Sequence, residues 1–82
     1  MNTLFLLLAK YDTTRLNMEQ IADFMNISVA TVQNRIYTKS MPFAVYKEGS
    51  NHFADLNDVA AYHDGKRREA VDARAAIERS LR

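Results

Sequence analysis

The sequence predicts a mainly α-helical domain carrying one small β-hairpin. Three observations lead there. Asn17 and Ser28, both good helix N-caps, each precede a stretch with helical apolar spacing. After Pro42 the residue types change to strand formers around a Gly-containing turn. The 82 residues hold only two Gly and one Pro, so loop-rich and collagen-like scaffolds are excluded.

The elements follow in order. The first helix is expected at about Thr3 to Tyr11, with Leu4, Phe5, Leu8 and Tyr11 on one face and Leu6 and Leu7 adding apolar surface elsewhere. A second helix begins after Asn17, with Gln20 at the capping-box position and a stripe of Met18, Ile21, Ala22 and Met25. Asn26 breaks it. A third helix starts after Ser28 and runs to about Thr38, with Val29, Val32 and Ile36 as its buried side. Phe43 to Lys47 reads as a strand, Glu48-Gly49-Ser50-Asn51 as a turn, and His52 to Ala54 as the returning strand. Phe43, Val45 and Phe53 are expected to cover the core from one hairpin face. Asp55 caps a last helix that turns Leu56, Val59, Ala60 and His63 inward, with Gly65 ending or loosening it. Residues 66–82 are rich in Ala, Arg and Glu and helix-prone. The expected organisation is one domain over 1–65 and a basic helical extension over 66–82.

Composition bounds the function. The chain has 11 Lys plus Arg against 10 Asp plus Glu, with 48% hydrophobic and 26% charged residues, an ordinary globular profile. Cysteine is absent, which removes disulfides and thiol metal sites. The longest apolar run, Leu4 to Ala9, is six residues, too short for a bilayer or a signal peptide, so a cytoplasmic location is expected. The charge is uneven. Residues 28–54 carry three bases and one acid, and residues 66–82 carry six bases and three acids, while residues 55–65 carry three acids and no Lys or Arg. A local basic face matters more than the total when the partner is a polyanion.

The spacing across the second and third helices carries the main functional signal. Ala22 is the small residue that lets two helices cross closely. Asn26, four positions later, suits a left-handed backbone. Ile27, Val32 and Ile36 then lock the following helix. Followed by a hairpin, this is a winged helix–turn–helix, a fold that inserts its second helix into the DNA major groove. With Val32 and Ile36 inward, Ala30, Thr31, Asn34, Tyr37 and Thr38 turn outward and Gln33 and Arg35 lie on the flanks. No acid occurs between Ser28 and Lys47. Asn, Gln and Arg serve base edges; Ser, Thr, Tyr and Lys serve phosphates. The expected DNA contacts are therefore Ser28, Thr31, Gln33, Asn34, Arg35, Tyr37, Thr38 and Lys39. Lys47, Ser50, Asn51 and His52 lie near the hairpin tip, where the hairpin either touches DNA or only packs; Glu48 there opposes phosphate binding.

Two stretches add a resemblance. Asn2-Thr3-Leu4-Phe5-Leu6-Leu7-Leu8-Ala9-Lys10-Tyr11, and Asp55-Leu56-Asn57-Asp58-Val59-Ala60-Ala61-Tyr62 ahead of Lys66-Arg67-Arg68-Glu69-Ala70, resemble the pyocin activator protein family, PrtN-like. The likeness runs to about residue 70. The middle of the chain also resembles the excisionase and MerR-like winged helix, whose leucine–proline step has its counterpart in Met41-Pro42. The resemblance implies a small phage- or pyocin-linked transcriptional activator. An excisionase-like architectural protein that bends DNA, and a winged-helix adaptor that binds protein alone, stand as alternatives.

No catalytic or metal constellation is evident. His52 and His63 stand eleven apart without a ligand pair, and Asp55 and Asp58 suit a helix cap and first turn. No phosphate loop or activated serine is present. An enzyme is not expected, nor a cofactor. The expected partners are double-stranded DNA and a second copy, with RNA polymerase or another phage or host protein as a further partner. Dimerisation is expected through Leu4, Leu6 and Leu7, because a short helix apolar all round cannot bury its whole circumference in so small a monomer. The tail has Ala70, Ala73 and Ile77 near a 3.5-residue spacing, but Arg67 and Arg74 intrude.

Overall fold

A computed structural model describes residues 2–81. The order is α1 (Thr3–Tyr11), β1 (Arg15–Asn17), α2 (Met18–Met25), α3 (Val29–Tyr37), β2 (Tyr46–Glu48), β3 (Asn51–Asp55) and α4 (Leu56–Ser80). The chain is mainly helical, with one small antiparallel sheet of strand order β1-β3-β2. The expected hairpin is thus the larger part of a three-stranded sheet. β1 pairs Leu16 with Ala54, and β2 pairs Tyr46 with Phe53.

Local chemistry sets the helix starts. Asn2 caps α1 by accepting the Phe5 amide at 2.9 Å. At α2 the capping box is complete: Asn17 accepts the Gln20 amide, Gln20 accepts the Asn17 amide, both at 2.9 Å. Ser28 caps α3 and Asp55 caps α4, the latter by accepting the Asn57 amide at 2.8 Å. Asn26 ends α2 with φ 57° and ψ 45°, the left-handed conformation its position required. The Ile27 amide then donates to the Ala22 carbonyl at 3.0 Å and closes the turn. Asn26→Gly is expected to be tolerated. Asn26→Val, β-branched at positive φ, is expected to lower stability by about 1–2 kcal/mol, read from the midpoint of urea unfolding.

The core gathers Leu7, Leu16, Ile21, Ala22, Val32, Phe43, Ala54, Leu56, Val59 and Ala60. Several expected faces are corrected by it. The inward stripe of α1 is Leu4, Leu7 and Tyr11, because α4 packs along that side. Leu7 is 8% exposed and belongs to the core, Leu4 is half-buried, and only Leu6, at 55%, is free for a contact between copies. Val29 is exposed, since it stands in the first turn of α3, away from the α2 contact made by Val32. Phe43 is buried from the irregular segment before β2, so the strand starts three residues later than the residue types suggested. Phe53 lies on the sheet face opposite Ala54 and stacks with Tyr46 instead of covering the core. An aromatic group of Phe24, Phe43 and Tyr62 closes the core beside α4. His63 is exposed at its edge, tilted against Phe24.

Tyr11 ties α1 to α2. Its hydroxyl donates to Asp23 at 2.8 Å, and Lys10 stands 3.5 Å from the same carboxylate. Partial burial, then the bond to Asp23, pushes the Tyr11 pKa up to about 12, and the same bond with Lys10 lowers that of Asp23.

α4 runs unbroken through Gly65 to Ser80, so the expected boundary at 65/66 falls inside one helix. Met1 and Arg82, the ends of the two expected segments, lie outside the described residues. Gly65 costs helix propensity of about 1 kcal/mol, which its strongly helix-forming neighbours outweigh. A Cβ at Gly65 would meet nothing within 4 Å. Gly65→Ala is therefore expected to stabilise the protein by about 0.5–1 kcal/mol in thermal unfolding.

Candidate nucleic-acid interface

The fixed turn at Asn26 and the small residue Ala22 set α3 across α2, with Val32 fully buried between them. The opposite side of α3 is open. Gln33, Asn34, Tyr37 and Thr38 are exposed and Arg35 is half-buried on the flank. Tyr37 is 88% exposed, an unusual cost for a large aromatic ring in water. Lys39 follows at φ 57°, just past the end of α3. Among the described residues Arg35, Lys39 and Lys47 form no ion pair.

Three expected contacts have local partners. The Ser28 hydroxyl accepts the Thr31 amide at 3.1 Å and shares a 2.8 Å bond with the Thr31 hydroxyl. Thr31 is half-buried, not fully outward. The Thr38 hydroxyl donates to the Asn34 carbonyl at 2.9 Å and helps close the C-terminal turn of α3. The side chains left without such bonds are Gln33, Asn34, Arg35, Tyr37 and Lys39, among the described residues.

The hairpin loop is Gly49-Ser50, with Gly49 at φ 63°, and Glu48 pairs with Asn51 across it. Strand alternation then divides the tip. Lys47 and His52 are paired directly and share the face of Ala54, the core side. Glu48 and Asn51 share the face of Phe53, the outer side. Asn51 is thereby separated from the other expected hairpin contacts. Glu48, the acid that opposed phosphate binding, is turned outward and ion-paired with Arg15. The Arg15 guanidinium lies 3.9 Å over the Phe53 ring, so β1 braces the hairpin from outside. Sequence reasoning missed Arg15: its partners are 33 and 38 positions away, and nothing local announces them.

On the inner side the hairpin tip faces α3 across a groove. Met18, Gln33, Ile36, Tyr37, Ser50 and His52 line a groove of about 410 Å³. The His52 Nδ1 atom is buried there without a hydrogen-bond partner among the described residues. The structure thus brings Gln33, Tyr37, Ser50 and His52 together, with Asn34 and Lys39 on the same helix and Lys47 beside His52 on the sheet. A second recess beside it is lined by Ile36, Lys39, Met41, Phe43 and Val45. Among the described residues no group of three metal-ligating side chains occurs, and no helix is long and apolar enough to cross a membrane. No family model, curated protein or solved structure matches the chain.

Proposed function

We propose that this protein is a small DNA-binding transcriptional regulator of winged helix–turn–helix form, with α3 as the major-groove reader and the hairpin beside it on the backbone. The observation that carries this reading is the acid-free open side of α3, bearing Gln33, Asn34, Arg35, Tyr37 and Lys39, which meets Ser50 and His52 of the hairpin through Gln33 and Tyr37 across one groove. An ordinary solvent face would carry Asp or Glu. The acid of the hairpin, Glu48, is bound by Arg15 on the far face. The resemblance to the pyocin activator family makes activation of a phage- or pyocin-linked promoter the specific form of the proposal.

The test is an electrophoretic shift against genomic fragments of the host element, repeated at several salt concentrations. Binding at one defined site is expected, with affinity falling as salt rises because phosphate contacts release counterions. With Lys39 and Lys47 engaged on phosphates, the log–log slope is expected near roughly −2, at about −0.9 per phosphate contact. Cooperative occupancy of direct repeats beside a recombination site would reassign the protein to the architectural, excisionase-like class. No salt-dependent binding would overturn the nucleic-acid reading and leave the adaptor.

A further inference from the structure

α1 and α4 lie antiparallel. Thr3, at the start of α1, hydrogen-bonds Asp64, while Leu8 near its end shares a recess with Leu56 and Asn57 at the start of α4. α4 therefore passes the end of α1 at Asp64 and continues for sixteen more residues to Ser80. No residue of that distal half is buried. The whole helix is about 37 Å long. The radius of gyration is 15.2 Å, against about 12 Å for a compact chain of this length. A free helical arm of this size is marginal in water without tertiary support.

The arm is not featureless. At 100° per residue, Ala70, Arg74, Ile77 and Leu81 continue the face that Leu56, Val59 and Ala60 turn to the core. Ile77 is 59% exposed. The outer side of α1 is a second uncovered apolar surface, with Phe5 62% exposed beside Leu6 and Ala9. One copy cannot cover its own α1 with its own arm, because α4 leaves the body straight past the end of α1. A two-fold exchange covers both surfaces at once, since each copy supplies one arm and one patch. Charge agrees. Residues 66–80 carry five bases against three acids, with Arg74 held by Glu78 and Arg67 in no ion pair among the described residues, and the α1 patch is bracketed by carboxylates at its two ends, Asp64 and Asp12.

We infer that the protein forms a homodimer in which the distal half of α4 from each copy lies on the outer face of α1 of the other, Ile77 against Phe5 and Leu6. This replaces the contact through Leu4 and Leu7, which the core takes up, and it does not depend on the nucleic-acid reading.

Light scattering and cross-linking of the full chain, without DNA, test it. A mass of twice 9.4 kDa is expected, falling to 9.4 kDa for both Phe5→Glu and Ile77→Glu with helical circular dichroism retained. The chain has no cysteine, so placed thiols report cleanly. The Leu6→Cys/Ile77→Cys double variant is expected to oxidise to a covalent dimer, and Ile77→Cys alone to remain monomeric on a non-reducing gel. A wild-type mass of 9.4 kDa overturns the proposal. A dimer that survives Phe5→Glu, or that cross-links through Ile77→Cys alone, overturns it in favour of an arm-on-arm contact.

Discussion

Leu16→Ala is expected to lower stability by about 2–5 kcal/mol, among the large effects for single truncations in this chain. Leu16 is fully buried and is the one inward residue of β1, since Arg15 and Asn17 face outward. It sits opposite Ala54 in the sheet and is followed two residues later by α2, so the cavity would open where sheet and helices meet. Ala54 is too small to fill it. Ile21, Val32, Leu56 and Val59, the other largest buried side chains, are held by their own helices. A domain of this length has a total stability of roughly 4–12 kcal/mol, so the loss takes a large share. Urea unfolding followed by circular dichroism measures it, with an unchanged slope and a lower midpoint as the expected result. Leu6→Ala, at an exposed site on the neighbouring helix, is expected to stay within about 0.5 kcal/mol when measured on dissociated protein. Equal losses for the two variants would contradict the assigned core.

The importance of Leu16 also shows where the sequence was readable and where it was not. Caps are local: Asn17 with Gln20, Ser28, Asp55 and the left-handed Asn26 each declare themselves within four residues, and each stands where it was expected. β1 is three residues, Arg-Leu-Asn, with no period of its own. It becomes a strand only because β3, 36 or more positions away, offers it an edge. The five consecutive large apolar residues Leu4–Leu8 carry no phase, so the inward side of α1 was decided by the position of α4. That is how Leu7 passed from expected interface to core. The DNA-contact candidates on α3 followed from helical phase and remain on one open side. Those on the hairpin depended on register, and a two-residue loop put Asn51 and His52 on opposite faces. Register was not legible because Glu48 to Asn51 read as one turn, while only Gly49 and Ser50 form the loop.

The second large effect is on DNA affinity. Asn34→Ala and Arg35→Ala are each expected to weaken specific binding by roughly 1–3 kcal/mol, as the loss of one base-edge contact does. Asn34 is exposed at the middle of α3, and Arg35 flanks it without an ion pair among the described residues. Neither side chain is in the core, so the fold should survive, which circular dichroism checks. Lys39→Ala is expected to behave differently. Lys39 stands past the end of α3 and is expected on a phosphate, so all sequences should weaken alike and the salt slope should fall by about 1. Fluorescence anisotropy on the cognate fragment and on a scrambled one separates the two behaviours. Loss of discrimination in the first pair, with discrimination kept but affinity reduced in the third, identifies α3 as the reader. Unchanged affinity in all three folded variants would remove α3 from the interface, because these three side chains stand on the open side of α3 or just past its end and form no ion pair among the described residues.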